Sequence, residues 1–131
     1  MFFNKKRYFF GLLILSGFLF LPTGDAIGGK YRTLKVTATA YNSVPSQTDE
    51  TPDIAAWGDK LKPGMKAIAV SRDLLKKGLT RGTKVKISGL PGKYTVLDKT
   101  HKRWKLRIDI YMGKNVKAAK KWGKRKVTIR W

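Results

Sequence analysis

The chain has 131 residues, with 29 Lys and Arg against 8 Asp and Glu, so its formal net charge is +21. That length predicts a single domain, and a hydrophobic content of 42% is too high for a disordered chain. The absence of cysteine excludes a disulfide scaffold, a cysteine zinc site and a thiol nucleophile, and a single histidine is too few for a His-rich metal centre.

The N-terminal segment has the pattern of an export signal. Three basic residues and no acid precede an apolar run at 9–21 (FFGLLILSGFLFL). A membrane-spanning helix needs about 20 apolar residues, so this shorter run predicts a signal peptide, cleaved after Ala26. The predicted organisation is therefore a signal peptide at 1–26 and one domain at 27–131, and an uncleaved N-terminal anchor is the alternative. Either way the domain is exported, to a periplasm, an outer membrane surface or a cell wall.

Cleavage would leave 26 basic and 7 acidic side chains, a net charge of +19. A positive field of this size favours anionic partners. For an exported protein these are anionic cell-envelope polymers rather than nucleic acid.

Six strands are predicted along the rest of the chain. Alternating β-branched residues indicate the first strand at Thr33–Tyr41, and a long polar loop at 42–64 follows it. Loops of this length are typically functional or disordered. The remaining predicted strands lie at 66–71, 83–88, 93–98, 106–112 and 126–131, with short helices at 73–77 and 115–122. Strands without strand–helix alternation predict an all-β fold, a small closed barrel with two short helices.

Acidic residues are scarce, so each one is informative. Asp109 lies inside a predicted strand, where aspartate is depleted, and Asp98 ends another strand. If the two carboxyl groups converge, their repulsion would keep a proton on Asp109, which could then act as a general acid. The alternative is an ion pair between Asp109 and Arg107 or a neighbouring lysine.

The other residues that could take part in catalysis or binding give weaker signals. His101 lies in a basic loop and is predicted to be solvated. Trp104, in the same loop, could stack on a sugar ring or serve as a partly buried anchor. Trp122 and Trp131 are predicted to join the core. No phosphate-binding loop, dinucleotide fingerprint or nucleophile elbow occurs, so we expect no cofactor and no metal.

Seven short segments occur in a characteristic order: Thr37–Tyr41 (TATAY), Ala56–Gly58 (AWG), Ile68–Ser71 (IAVS), Gly82–Ile87 (GTKVKI), Leu97-Asp98, Arg107–Tyr111 (RIDIY) and Trp122-Gly123. Their order, and the eleven-residue step from Asp98 to Asp109, resemble the three-aspartate (3D) domain. This family occurs in membrane-bound lytic transglycosylase A and in small secreted cell-wall enzymes. The resemblance covers roughly residues 35–131.

The resemblance implies a six-stranded double-psi β-barrel that cleaves the β-1,4 bond between N-acetylmuramic acid and N-acetylglucosamine in peptidoglycan. It implies that Asp109 is the catalytic acid/base and that Asp98 assists it. The 6-hydroxyl of the sugar would attack the anomeric carbon and leave a 1,6-anhydro end. The expected partner is the peptidoglycan glycan strand, bound by a monomer. The residues predicted to bind the substrate are Thr39, Tyr41, Asp59, Ser71, Lys102 and Trp104.

Two departures from the family pattern leave a second hypothesis open. The family's glycine-rich stretch after its second Asp is replaced here by Lys99–Lys105 (KTHKRWK), and its first Asp is replaced by Ser71. Asp73 or Asp59 would have to substitute for that acid. The second hypothesis is therefore a catalytically silent module that binds peptidoglycan or another anionic glycan. A basic protein acting on membranes or nucleic acid is the third, and the strand pattern favours it least.

Overall fold

The computed structural model describes residues 31–44 and 51–131. The predicted signal peptide at 1–26 lies outside the described residues. The part from Thr33 to Trp131 forms one compact unit.

Six strands and two short helices make up this unit. The strands are β1 (Thr33–Tyr41), β2 (Ala67–Val70), β3 (Lys84–Ile87), β4 (Tyr94–Lys99), β5 (Arg107–Tyr111) and β6 (Arg125–Arg130), and the helices are α1 (Arg72–Leu75) and α2 (Val116–Trp122). Each matches a predicted element. The first helix was predicted to start at Asp73, but its N-cap residue is Ser71, and Asp73 lies in the first turn.

The strands close into a barrel in the order β1-β5-β2-β4-β3-β6. The pairs β1·β5 and β2·β4 are parallel, and the other four pairs are antiparallel. The prediction of an all-β, closed six-stranded barrel is confirmed. Closure gives each of the six described strands a neighbour on both sides, so none of the six is an edge strand.

The barrel interior is filled mainly by β-branched side chains. Alternate residues point inward, and β3 shows this most simply, since Val85 and Ile87 are buried while Lys84 and Lys86 are exposed. Each fully buried aliphatic side chain contributes about 1.5–3 kcal/mol. The largest fully buried strand residues of this core are Val36, Ile68, Val70, Val85, Val96, Ile108, Ile110 and Ile129. Trp122 and Trp131 are only partly buried and pack against its margin.

A second, smaller apolar cluster lies on the outer surface. Ala55 and Leu61, from the segment after β1, pack there against Ala67 of β2 and Tyr111 of β5. The segment at 51–66 is therefore held against the outer face of the barrel by apolar contact.

The register of β2 with its two neighbours positions the candidate site. Ala69 pairs with Asp109 of β5 on one side and with Asp98 of β4 on the other. The pairing with β4 shifts by one residue after Ile68, which pairs with Val96. Without that irregularity Leu97 would stand opposite Ala69. Asp98 would then point into the barrel, because a shift of one residue moves every side chain of a strand to the opposite face.

Candidate active site

Four residues form a row on the outer face of the barrel, across the strands β4, β2, β5 and β1. They are Asp98, Ala69, Asp109 and Thr39, which face one another in register. Because Ala69 is small, the two carboxyl groups flank it without a bulky side chain between them. Two strand spacings separate their Cα atoms by about 10 Å.

Asp109 is a largely buried acid. Its Oδ1 accepts a hydrogen bond of 3.0 Å from the Thr39 hydroxyl. Burial raises the pKa of Asp109 to about 6; the hydrogen bond from Thr39 and the charge of Arg107 act to lower this pKa, and the charge of Asp98 adds to the rise. An acid with a pKa near neutrality can both donate and accept a proton under physiological conditions.

Asp98 has a different environment. Its Oδ1 accepts hydrogen bonds from the backbone amides of Ala56, at 2.7 Å, and Lys99, at 2.9 Å. Its Oδ2 accepts a hydrogen bond of 3.1 Å from the Tyr41 hydroxyl. Three donors converge on this carboxylate, which orients it firmly and attaches the 51–66 segment to β4.

Strand β1 supplies one hydroxyl to each acid. Thr39 and Tyr41 are two residues apart and so lie on the same face of the strand, where Thr39 donates to Asp109 and Tyr41 to Asp98. Burial and the charge of Asp98 raise the pKa of Tyr41 well above its usual range. Tyr41 therefore stays protonated and keeps donating to Asp98.

Arg107 does not form an ion pair with Asp109. Among the described residues, the recorded ion pairs are Lys60–Asp53 and Arg81–Asp59. The Nε of Arg107 instead donates to the Thr39 hydroxyl at 3.3 Å, and its guanidinium lies 3.6 Å from the centroid of the Trp104 ring. The Thr39 hydroxyl thus stands between the arginine and the acid.

Asp59 and Ser71 lie apart from this row. Asp59 is held by Arg81 through two hydrogen bonds, of 2.8 and 2.6 Å, and this hydrogen bonding lowers the pKa of Asp59. Ser71 is fully buried, and its Oγ accepts a hydrogen bond of 3.0 Å from the backbone amide of Arg107. These contacts give both residues structural roles, and their predicted contact with a substrate stays a prediction.

Asp73 lies in the first turn of α1 and is not part of the row. Its Oδ2 accepts a hydrogen bond of 3.0 Å from the backbone amide of Leu106. Burial acts to raise the pKa of Asp73, but the hydroxyl of Ser71 and the amide of Leu106 outweigh it and bring the pKa below its ordinary value.

The loop between β4 and β5 exposes most of its polar side chains. Lys102 is exposed, and His101 is exposed as predicted, with its Nδ1 accepting a hydrogen bond from the Arg103 amide. Trp104 is half-buried and contacts two guanidinium groups, those of Arg107 and, at 5.1 Å, Arg103. Its stacking on a sugar stays a prediction.

Sequence reasoning missed two features of this region. Ala69 separates the two acids, and the signal for it was a small residue at the outward position of a short apolar strand. Leu106 has a φ of 46°, in the left-handed region that costs a non-glycine residue about 1–2 kcal/mol. Hydrogen bonds to Asp73 and from the Thr37 amide hold its backbone there, and no local signal in the sequence indicated it.

A groove opens at the end of β5, and none of the four residues of the row lines it. It has a volume of about 480 Å³ and lies between the 63–66 turn, Tyr94, the end of β5 and the start of α2. This volume falls within the ~300–1,000 Å³ of small-molecule sites. Tyr111 lines the groove and is two residues from Asp109, about 7 Å along the same face of β5.

Comparisons with known proteins add no family assignment. No protein-family model matches the chain, and no curated protein matches it significantly. Within residues 31–44 and 51–131, no group of three or more acidic or histidine side chains is placed to hold a metal ion. Neither of the two described helices is long and apolar enough to cross a membrane.

Proposed function

We propose that the protein is an exported lytic transglycosylase-like enzyme of peptidoglycan turnover. It cleaves the β-1,4 bond between N-acetylmuramic acid and N-acetylglucosamine and leaves a 1,6-anhydro end. The observation that supports this most is the environment of Asp109, a largely buried acid without an ion pair among the described residues and with a pKa raised to about 6.

One acid of this kind is sufficient for the proposed reaction. The protonated Asp109 donates its proton to the glycosidic oxygen as the bond from that oxygen to the anomeric carbon breaks. The 6-hydroxyl oxygen of the same muramic acid then bonds to the anomeric carbon, and its proton passes to the Asp109 carboxylate. No water is consumed and the acid is regenerated, so a second catalytic carboxylate, as in hydrolytic glycosidases, is not needed.

Asp98 has a supporting role in this proposal. Its negative charge acts to raise the pKa of Asp109, and its bond to the Ala56 amide holds the 51–66 segment beside the row. Tyr41 and Thr39 orient the two acids. The proposal keeps the double-psi form of the barrel, which the two parallel strand pairs inside a closed six-stranded sheet support.

The second candidate is a silent module that binds peptidoglycan or a related anionic glycan. The loop between β4 and β5 favours it, because this loop has no glycine and exposes four basic or imidazole side chains, His101, Lys102, Arg103 and Lys105. Such side chains attract an anionic polymer without requiring any chemistry from Asp109.

The deciding experiment is incubation of the protein with purified peptidoglycan sacculi. Soluble products are identified by mass, and the enzyme is expected to release 1,6-anhydro-muropeptides. Asp109→Asn should abolish release, and Asp53→Asn is the matched control, since Asp53 pairs with Lys60 in the 51–66 segment. Protein that pellets with sacculi but releases nothing would instead establish the binding module.

A further inference from the structure

Arg107 is a cationic side chain held in a fixed orientation beside the row. Its guanidinium stacks on Trp104 at 3.6 Å, and its Nε donates to Thr39. Its backbone is held as well, because its amide donates to the Ser71 hydroxyl and its carbonyl accepts from the Ser71 amide at 2.9 Å. A guanidinium fixed by stacking and by one hydrogen bond loses little conformational freedom when a ligand binds.

The outer edge of this guanidinium is open. Neither Nη1 nor Nη2 donates a hydrogen bond to a described residue. Neither nitrogen is buried. Both nitrogens therefore reach solvent. Two other arginines show the contrast: Arg81 is occupied by Asp59, and Arg125, which also stacks on an indole ring, donates to the Trp122 carbonyl.

The open edge lies next to the proposed catalytic acid. The Thr39 hydroxyl accepts from Arg107 and donates to Asp109, so one hydroxyl group separates the guanidinium from the acid. An oriented guanidinium with two free N–H groups matches the geometry of a carboxylate, which it binds through two parallel hydrogen bonds.

We propose that Arg107 binds a carboxylate of the glycan whose glycosidic bond lies at Asp109. The proposal rests on the proposed function, because it takes peptidoglycan as the ligand. Two carboxylates of that polymer have the required chemistry. One is the lactyl carboxylate of a muramic acid without its stem peptide, and the other belongs to the stem peptide itself.

Occupation of Arg107 would also act on Asp109. The groups facing Asp109 are Thr39 and Tyr41 of β1, Ala69 of β2, Asp98 of β4 and Arg107 of its own strand. Arg107 is the cation among them, and its charge lowers the pKa of Asp109. A bound carboxylate would offset that charge, so the pKa of Asp109 would rise and the acid would hold its proton more firmly in the complex.

The test measures binding in the Asp109→Asn protein, which keeps an acceptor for Thr39 and cannot turn over the ligand. Three probes are titrated by calorimetry: a neutral chitooligosaccharide, stem-free glycan strands with free lactyl carboxylates, and strands with intact stem peptides. Adding Arg107→Gln should weaken binding of a carboxylate-bearing probe by at least about tenfold, because a hydrogen bond to a charged group contributes about 1.5–3 kcal/mol. Binding of the chitooligosaccharide should change less than about twofold, as expected for loss of one surface charge.

Matched variants separate orientation from charge. Arg103→Gln removes the same charge beside the same indole ring, so it should lower binding of the two carboxylate-bearing probes equally and slightly and leave binding of the neutral probe unchanged. Arg107→Lys keeps the charge without the planar fork, and it should retain the fold, checked by thermal unfolding, yet still weaken the carboxylate-bearing probe. The probe that responds identifies the lactyl or the stem carboxylate as the source.

Equal losses in Arg103→Gln and Arg107→Gln, an equal loss for the neutral probe, full affinity in Arg107→Lys, or no binding of any probe would each overturn the proposal. Failure of the enzymatic function is a different result. In that case the wild-type protein releases no anhydro product from sacculi, while Arg107→Gln still selectively weakens binding of the carboxylate-bearing probe.

Discussion

Asp98 and Asp109 carry the same functional group in two different surroundings. Asp98 accepts hydrogen bonds from two amides and one hydroxyl, whereas Asp109 accepts one from Thr39 among the described residues. Donors stabilise a carboxylate, and burial without them favours the neutral acid. The surroundings thus suit Asp98 to a structural role and Asp109 to proton transfer, a division also found in enzymes that use paired carboxylates.

The raised pKa of Asp109 predicts an activity profile. Cleavage that needs protonated Asp109 should decline as pH rises through about 6, by about tenfold per pH unit on that limb. Release of anhydro-muropeptides from sacculi between pH 4.5 and 8.5 measures this. A rate that stays constant from pH 5 to 8 would show that Asp109 does not donate the proton.

The Asp109 carboxyl should also make the free energy of unfolding depend on pH. The pKa of Asp109 is about 6 in the folded state against 3.8 as the ordinary value, so the folded state binds more protons between these values and stability falls as pH rises through that window. Asp109→Asn should therefore stabilise the protein by about 2 kcal/mol more at pH 8 than at pH 4. Thermal unfolding of both proteins at the two pH values measures the difference, and an identical shift at both would contradict it.

At the scale of the elements, the 51–66 segment is held by two kinds of contact. Polar contacts join Asp59 to Arg81 and the Ala56 amide to Asp98. Apolar contact buries Leu61 against the outer face of β2 and β5. Exposed ion pairs contribute little because water and salt screen them, so we expect the apolar contact to dominate.

Two single substitutions compare these contacts. Leu61→Ala should lower the free energy of unfolding by about 2–3 kcal/mol, because it leaves a cavity under the segment. Arg81→Ala should lower it by no more than about 1 kcal/mol, since the Arg81 side chain is exposed. Urea denaturation of the two variants measures both values, and a larger cost for Arg81→Ala would mean that the ion pair is the main attachment.

At the scale of the whole molecule, the excess of positive charge opposes the compact state and attracts polyanions. Lys and Arg outnumber Asp and Glu by 29 to 8. Two of the five described acids, Asp53 and Asp59, are already paired with cations, so most of the positive charge is left unbalanced.

Salt should therefore change binding and stability in opposite directions. Raising NaCl from 0.1 to 1 M shortens the screening length from about 10 to 3 Å, which should weaken pelleting with sacculi while raising the melting temperature. Pelleting and thermal unfolding across a NaCl series measure the two effects, and Asp109→Asn should behave as the wild type in pelleting. Binding indifferent to salt would exclude an electrostatic contribution.

The sequence by itself determined the strands, the closed barrel class and the two acids of interest. Alternation within a strand is a local property, so Val85 and Ile87 could be assigned to the core before any tertiary contact was known. The scarcity of acids, together with the family resemblance, directed attention to Asp98 and Asp109. No local pattern in the sequence predicted that Ser71 is buried or that Asp59 forms an ion pair with Arg81.

Only the tertiary structure decided that the two acids share a row. They lie on strands that do not pair with each other, and the row exists because β2 inserts between those strands with Ala69 as the spacer. A one-residue irregularity in the pairing of β2 with β4 brings Asp98 to the outer face. Register between distant strands depends on how the whole core packs, and that information is not contained in any short stretch of the chain.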